Sequence, residues 1–281
     1  AALADFWLSL GGLDGGFSEA VMGWLRAVSP PPSVTARALE FAPQTLAAEM
    51  ISRVLSPYQF NPFNYHPLRA VVDALTVDGT MHSRVGPKLF VSATNVRDGK
   101  PRIFMGKEIT TDAILASACL PTLYQAIEID DPRTGRREAY WDGGYIGNPA
   151  LYPLHYHTHA RDLVIVHINP LHREELPRTA QDIASRINEI SFNASLLQEL
   201  RSIDFVNRLL DEGLLPADRM KRNNVHSVGD DALMNQLGVA TKMTLNRALL
   251  LQLHDAGITA MDRFLTHHGT KIGECSTVDV K

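Results

Sequence analysis

The chain has 281 residues, 45% of them hydrophobic and 21% charged, so it can bury a sizeable core in one large domain or in a domain with an appendage. A formal net charge of −4 leaves no electrostatic footprint for nucleic acid and argues against purely electrostatic docking on anionic lipid. Two cysteines, Cys119 and Cys275, exclude a disulfide framework or a zinc finger, and Cys119 reads as a small buried hydrophobe.

No apolar run reaches the roughly 18–20 residues that a membrane-spanning helix needs, and no signal peptide is visible. The chain opens on Ala1-Ala2-Leu3-Ala4, without Met and inside an apparent helix, so the true N-terminus is expected upstream. A cytoplasmic protein, peripheral to membrane at most, is the expectation. Residues 1–10 predict a helix that Gly11-Gly12 breaks, and residues 17–28 predict a short amphipathic helix ended by Ser29-Pro30-Pro31-Pro32-Ser33. Further helices are expected near 44–55 and over 67–75. Between them, Ser56-Pro57-Tyr58-Gln59-Phe60-Asn61-Pro62-Phe63 reads as a loop packed by its own aromatics, or as a flap over a cleft.

The pattern then changes. Lys88-Leu89-Phe90-Val91-Ser92-Ala93-Thr94 is a short apolar run bounded by Asn95, as suits a strand buried on both faces of a parallel sheet. Residues 101–105 follow Asp98-Gly99 as a hairpin partner. Thr110 or Thr111 is placed to cap a helix through Ala118 that Pro121 stops. Residues 123–129 and 137–141 flank Asp130-Asp131-Pro132-Arg133-Thr134-Gly135 as a second hairpin, and Leu163-Val164-Ile165-Val166-His167-Ile168 is the strongest strand signal. Thr179 with Asp182 resembles a capping signal for a helix over 179–212, about 50 Å long at ~1.5 Å per residue. Its expected buried stripe is Ile183, Ile187, Ile190, Ala194 and Leu197. Residues 224–228 predict a last strand, and 245–266 a terminal helix with Leu249, Leu250, Leu253, Ile258 and Phe264 inward. Helices alternating with short buried strands predict a three-layer α/β/α domain with a mostly parallel central sheet. Ligands then bind beyond the carboxyl ends of strands, where Asn95, Asp142 and Asn169 fall.

One tetrapeptide carries chemistry. Trp141-Asp142-Gly143-Gly144 continues into Tyr145-Ile146-Gly147-Asn148-Pro149. Asp-Gly is by itself a turn signal. Here the aspartate directly ends an apolar strand, and the glycines allow backbone to approach where a side chain would clash. Such a shelf could present a carboxylate at a cleft, as a base within reach of a serine hydroxyl. The Gly-x-Ser-x-Gly elbow that usually holds the serine is absent: Ser9 has Trp7 and Ser227 has Val225 where the first glycine belongs.

Three blocks together resemble the patatin-like phospholipase family, particularly its bacterial members: Lys88–Asn95, Ala116-Ser117-Ala118-Cys119-Leu120-Pro121, and Tyr140-Trp141-Asp142-Gly143-Gly144-Tyr145. The resemblance covers residues 1–215 well, and residues 216–281 are expected to form a helical extension. It implies a lipid acyl hydrolase that cleaves fatty-acyl esters through a Ser–Asp dyad without histidine. Asp142 is similar to the dyad aspartate, with Gly143 and Gly144 holding its loop. Pro121 would help shape the acyl channel, and Asn95 would brace the loops or serve a simple turn. Ala1-Ala2-Leu3-Ala4 resembles the helix after the family's serine, so the serine elbow and the Gly-rich oxyanion loop are expected upstream of this chain, which alone would be inactive. The implied partners are a lipid or fatty-acyl ester and a membrane or lipid surface; nucleic acid, metal and cofactor are not expected.

Two other readings compete. His155, His157 and His159 would share one face of a strand and could bind a metal, but no carboxylate or cysteine nearby completes the set. His167 lies in an apolar strand and reads as a satisfied core residue rather than a member of a triad. The second class is a non-catalytic lipid-binding protein of the same fold, compatible with the missing serine.

Overall fold

The computed structural model describes residues 6–7, 55–76, 81, 86–216, 218–237 and 247–278. The helices expected over 1–10, 17–28 and 44–55 lie outside these, apart from Phe6 and Trp7, which are helical, and Leu55. The chain divides into two compact units, Leu46–Pro153 and Ala1–Thr45 with Leu154–Lys281.

In the unit Leu46–Pro153, the helices α1 (Pro57–Phe60) and α2 (Leu68–Asp73) precede β1 (Phe90–Asn95) and β2 (Pro101–Met105). After α3 (Thr111–Ser117) come β3 (Ile127–Asp131) and β4 (Arg136–Asp142). Thr110 is the cap of α3, its Oγ1 accepting from the Ala113 amide at 3.2 Å. The four strands form a sheet in the order β2-β1-β4-β3, with every neighbouring pair antiparallel. The expected mostly parallel sheet is therefore corrected here. β1–β2 and β3–β4 are joined by turns of a few residues, with Gly99 and Gly135 at positive φ. So short a connection can join only antiparallel neighbours, because a parallel crossover needs a dozen residues or more. Buried apolar runs suggested parallel strands, but here an antiparallel sheet is covered by α3, which packs across β1, β3 and β4.

The core of this unit gathers Ala93, Phe104, Ile109, Ala113, Leu115, Ala116, Cys119, Ile127 and Tyr140. Beside it lies a buried ionic cluster. Arg102 donates to Asp131 through Nε at 2.7 Å and to Glu108 through Nη2 at 2.9 Å. Tyr140 also donates to Asp131. Burial pulls the Asp131 carboxyl upward, yet the hydrogen bonds from Arg102, Tyr140 and the Arg133 amide hold it at about 2. The loop at residues 56–63 is not packed by its own aromatics: Tyr58, Phe60 and Phe63 are exposed, Phe63 at 94%.

In the other unit, β5 (Asp162–Val166) pairs in parallel with β6 (Asn224–Val228). The long connection between them contains α5 (Ala180–Asp211), as a parallel crossover requires. Thr179 caps α5 by accepting from the Asp182 amide at 3.1 Å. The expected buried stripe of α5 faces solvent instead: Ile183, Ile187, Ile190 and Leu197 are exposed. Leu196, Leu200 and Ile203 are buried in their place, together with Glu189 and Asn193. Arg173 and Arg186 pair with Glu189, and Asn193 donates to the Pro170 carbonyl, so polar residues turn inward with partners. The helix has apolar residues on more than one face, and 3.6-residue periodicity alone does not choose between them.

After the short α6 (Asp231–Met234), α7 (Arg247–His268) buries Leu249, Leu251, Ala260 and Phe264. Leu250 and Leu253 are partly buried, while Ile258, expected inward, is exposed. His226 in β6 is fully buried between Asp162 and Thr277, at 3.0 and 3.1 Å. The helix α4 (Tyr152–His157) holds His155 and His157, which two positions apart on a helix do not share a face. The single strand face on which the alternating histidines could have met is thus not formed. Among the described residues no group of three or more His, Cys, Asp and Glu could hold a metal ion. Among them, too, no helix is long and apolar enough to cross a membrane.

Candidate active site

Asp142 is the last residue of β4, on the same face of the pleat as the buried Glu138 and Tyr140. Its backbone is fixed from two directions. The Asp142 amide donates to the Cys119 carbonyl at 2.9 Å, and its carbonyl accepts from Thr94 Oγ1 at 2.8 Å. The chain then enters a 3₁₀ turn, Gly143–Tyr145, whose start the aspartate itself caps: Oδ1 accepts from the Gly144 amide at 2.7 Å. Strand end, cap and turn together aim one carboxylate at a fixed point.

That point is the wall of a cleft of about 310 Å³. Asp142, Gly143, Gly144 and Gly147 line it with Ser92 of β1, Ser117 of α3, and Asn148 and Pro149. A Cβ at Gly143 would stand 2.2 Å from the Ser92 carbonyl oxygen, which no side chain can meet without backbone movement. A Cβ at Gly147 would stand 2.7 Å from that of Ala150. These two glycines are thus required by close approach, not by a left-handed turn.

Burial in this wall pushes the Asp142 carboxyl above its ordinary value, and the Gly144 amide opposes that shift. A carboxylate of raised pKa is a stronger base than a solvated one. The Cys119 thiol behind it is fully buried and pushed up to about 11 by burial, with Sγ 3.2 Å from the Gln125 carbonyl. It is not poised as a nucleophile, in keeping with its sequence context.

Asp142, Gly143 and Gly144 are thus brought together at the cleft, whereas Asn95 and Pro121 are not among the residues lining it. Asn95 ends β1 opposite Tyr140, and its Oδ1 accepts from the Arg97 amide at 2.8 Å, which is a turn interaction. Pro121 lies in the turn that follows α3. Sequence reasoning missed Ser92, whose buried Oγ has no hydrogen-bond partner among the described residues. Its only signal was membership of the block Lys88–Asn95; its place against Gly143 follows from the β1–β4 register.

The fold and the cleft define an α/β protein with one desolvated carboxylate on a glycine shelf. Residues 24–155, just under half of the chain, match the family model described as patatin-like phospholipase, and the residues lining the cleft all fall within this stretch. The family in general hydrolyses lipid acyl esters. No curated protein matches the chain.

Proposed function

We propose that this chain carries the aspartate of a Ser–Asp dyad in a lipid acyl hydrolase, the serine being supplied by polypeptide outside these residues. The observation that supports this reading is the half-buried Asp142 carboxylate, fixed at a cleft wall with its pKa raised by burial. The serine hydroxyl attacks the ester carbonyl and passes its proton to Asp142. The tetrahedral species collapses, the C–O bond breaks, and the alcohol leaves with that proton. Water then gives a proton to Asp142 and attacks the acyl-serine; the serine C–O bond breaks, the proton returns from Asp142 to the serine oxygen, and the fatty acid is released. The exposed Tyr58, Phe60, Phe63 and Tyr65 suit contact with a lipid surface, where amphipathic rings settle readily.

The test is acyl release from short-chain esters by the complete protein and its Asp142→Asn variant. Loss of turnover by about 10²–10⁴-fold with the fold intact supports the dyad. Turnover retained by Asp142→Asn refutes it. Lipid binding by the complete protein without any acyl release favours the non-catalytic reading instead.

A further inference from the structure

A second group of chemistry-bearing side chains lies in the unit formed by Ala1–Thr45 and Leu154–Lys281. His167 directly follows β5, Ser227 is the penultimate residue of β6, and Asp231 opens α6. Ser227 Oγ lies 3.0 Å from His167 Nδ1, and His167 Nε2 lies 3.2 Å from Asp231 Oδ1. The Asp231 carboxylate can only accept, so it fixes the tautomer: Nε2 carries the proton and Nδ1 is left to accept from the Ser227 hydroxyl. The imidazole is turned end for end relative to the usual triad, but its two nitrogens are conjugated and either can take the serine proton.

Three features separate this cluster from an ordinary satisfied histidine. It stands at the carboxyl ends of two parallel strands, where ligand sites of α/β proteins form. It is reachable: Ser227 is only partly buried, and the His167 and Asp231 side chains are 15% and 39% exposed, whereas the His226 side chain, also paired with an aspartate, is 0% exposed. The division of labour between adjacent aspartates is also clear. Asp230 accepts from the Leu233 amide at 3.0 Å and pairs with Arg263 at 3.5 Å, leaving Asp231 to His167. The ring is further held by Gly229, where a Cβ would stand 2.6 Å from His167 Nε2, and by the His167 amide, which donates to the Val228 carbonyl at 3.1 Å.

We propose that Ser227, His167 and Asp231 form a hydrolytic triad, separate from the Asp142 cleft, that acts on short-chain carboxylic esters. Ser227 Oγ attacks the carbonyl carbon while its proton moves to His167 Nδ1, with Asp231 stabilising the imidazolium through Nε2. The C–O bond breaks, and the alcohol leaves with the proton from Nδ1. Water then transfers a proton to Nδ1 and attacks the acyl-Ser227 ester. The proton returns to Ser227 Oγ and the acid is released, so that ester and water become acid and alcohol.

The experiment treats the 281-residue chain with a fluorophosphonate and locates the label by peptide mass. The expected result is a label on Ser227 that falls on the order of 100-fold in His167→Gln, falls less in the part-exposed Asp231→Asn, and falls also in Gly229→Ala, which displaces the ring. Thermal melts establish that each variant is folded. Ser227→Cys gives an independent reading: its alkylation by iodoacetamide should be faster than in the Ser227→Cys/His167→Gln double variant, because the histidine favours the thiolate. No label on Ser227 in the folded chain, or equal alkylation with and without His167, overturns the proposal. Because the label is mapped to a residue, neither outcome depends on Asp142.

Discussion

At Asp142 the energetics of folding and of the proposed chemistry pull in opposite directions. Its folded pKa is raised by burial, so its contribution to stability is fully present below the unfolded value and is lost as pH rises through the folded one. Ionisation of this carboxyl therefore costs stability. Asp142→Asn should melt at the same temperature as the parent or higher, while losing acyl release; a clear fall in melting temperature would show that the carboxylate is structural. Ser92 makes a paired case. Its buried hydroxyl lacks a partner among the described residues, so Ser92→Ala should leave stability unchanged or slightly raised, and any loss of turnover would then report contact with substrate. Gly143→Ala should do the reverse, lowering stability by about 1–3 kcal/mol in denaturant titration because the added Cβ meets the Ser92 backbone.

At the scale of elements, the hairpins β1–β2 and β3–β4 are joined through a buried charge rather than by packing alone. Arg102 of β2 reaches Asp131 at the end of β3, and Tyr140 of β4 closes the cluster. Asp131 is held at about 2, so its stabilisation is present above the unfolded carboxyl range and is lost as pH falls through about 2. Tyr140→Phe removes one donor to that carboxylate. It should cost about 1.5–3 kcal/mol at neutral pH and move the acid unfolding midpoint upward, which a fluorescence titration would read. An unshifted acid midpoint would show that Arg102 and the Arg133 amide suffice to hold the Asp131 carboxyl. The helix α3 joins this framework to the site: Leu115 and Ala116 are fully buried in the core, and the Cys119 carbonyl just beyond the helix holds the Asp142 amide.

At the scale of the whole molecule, the unit containing β5, β6, α5 and α7 carries apolar surface beyond what its own packing uses. Val164 and Val166 of β5 and Ile168 just beyond it are exposed, as are Ile183, Ile187, Ile190 and Leu197 along α5. Exposed apolar surface favours association in water. Purified on its own, the chain should therefore self-associate with rising concentration, and Ile187→Lys should reduce that tendency in sedimentation velocity. A sample that stays monomeric at high concentration would show these side chains to be shielded in solution.

The sequence by itself determined local elements: a cap at Thr110 or Thr111, the Thr179 cap, both hairpin turns, the strand at 224–228 and the Asp142-Gly143-Gly144 shelf were all legible, because each is written in neighbouring residues. Only the tertiary structure decided which face of α5 turns inward, that the central sheet is antiparallel, and that Ser92 lies against Gly143. It also decided that His167, Ser227 and Asp231 meet across a separation of about 60 residues. The division has a physical cause. Caps, turns and strand alternation depend on contacts a few residues apart, whereas sheet order, helix facing and side-chain clusters depend on which distant surfaces exclude water together.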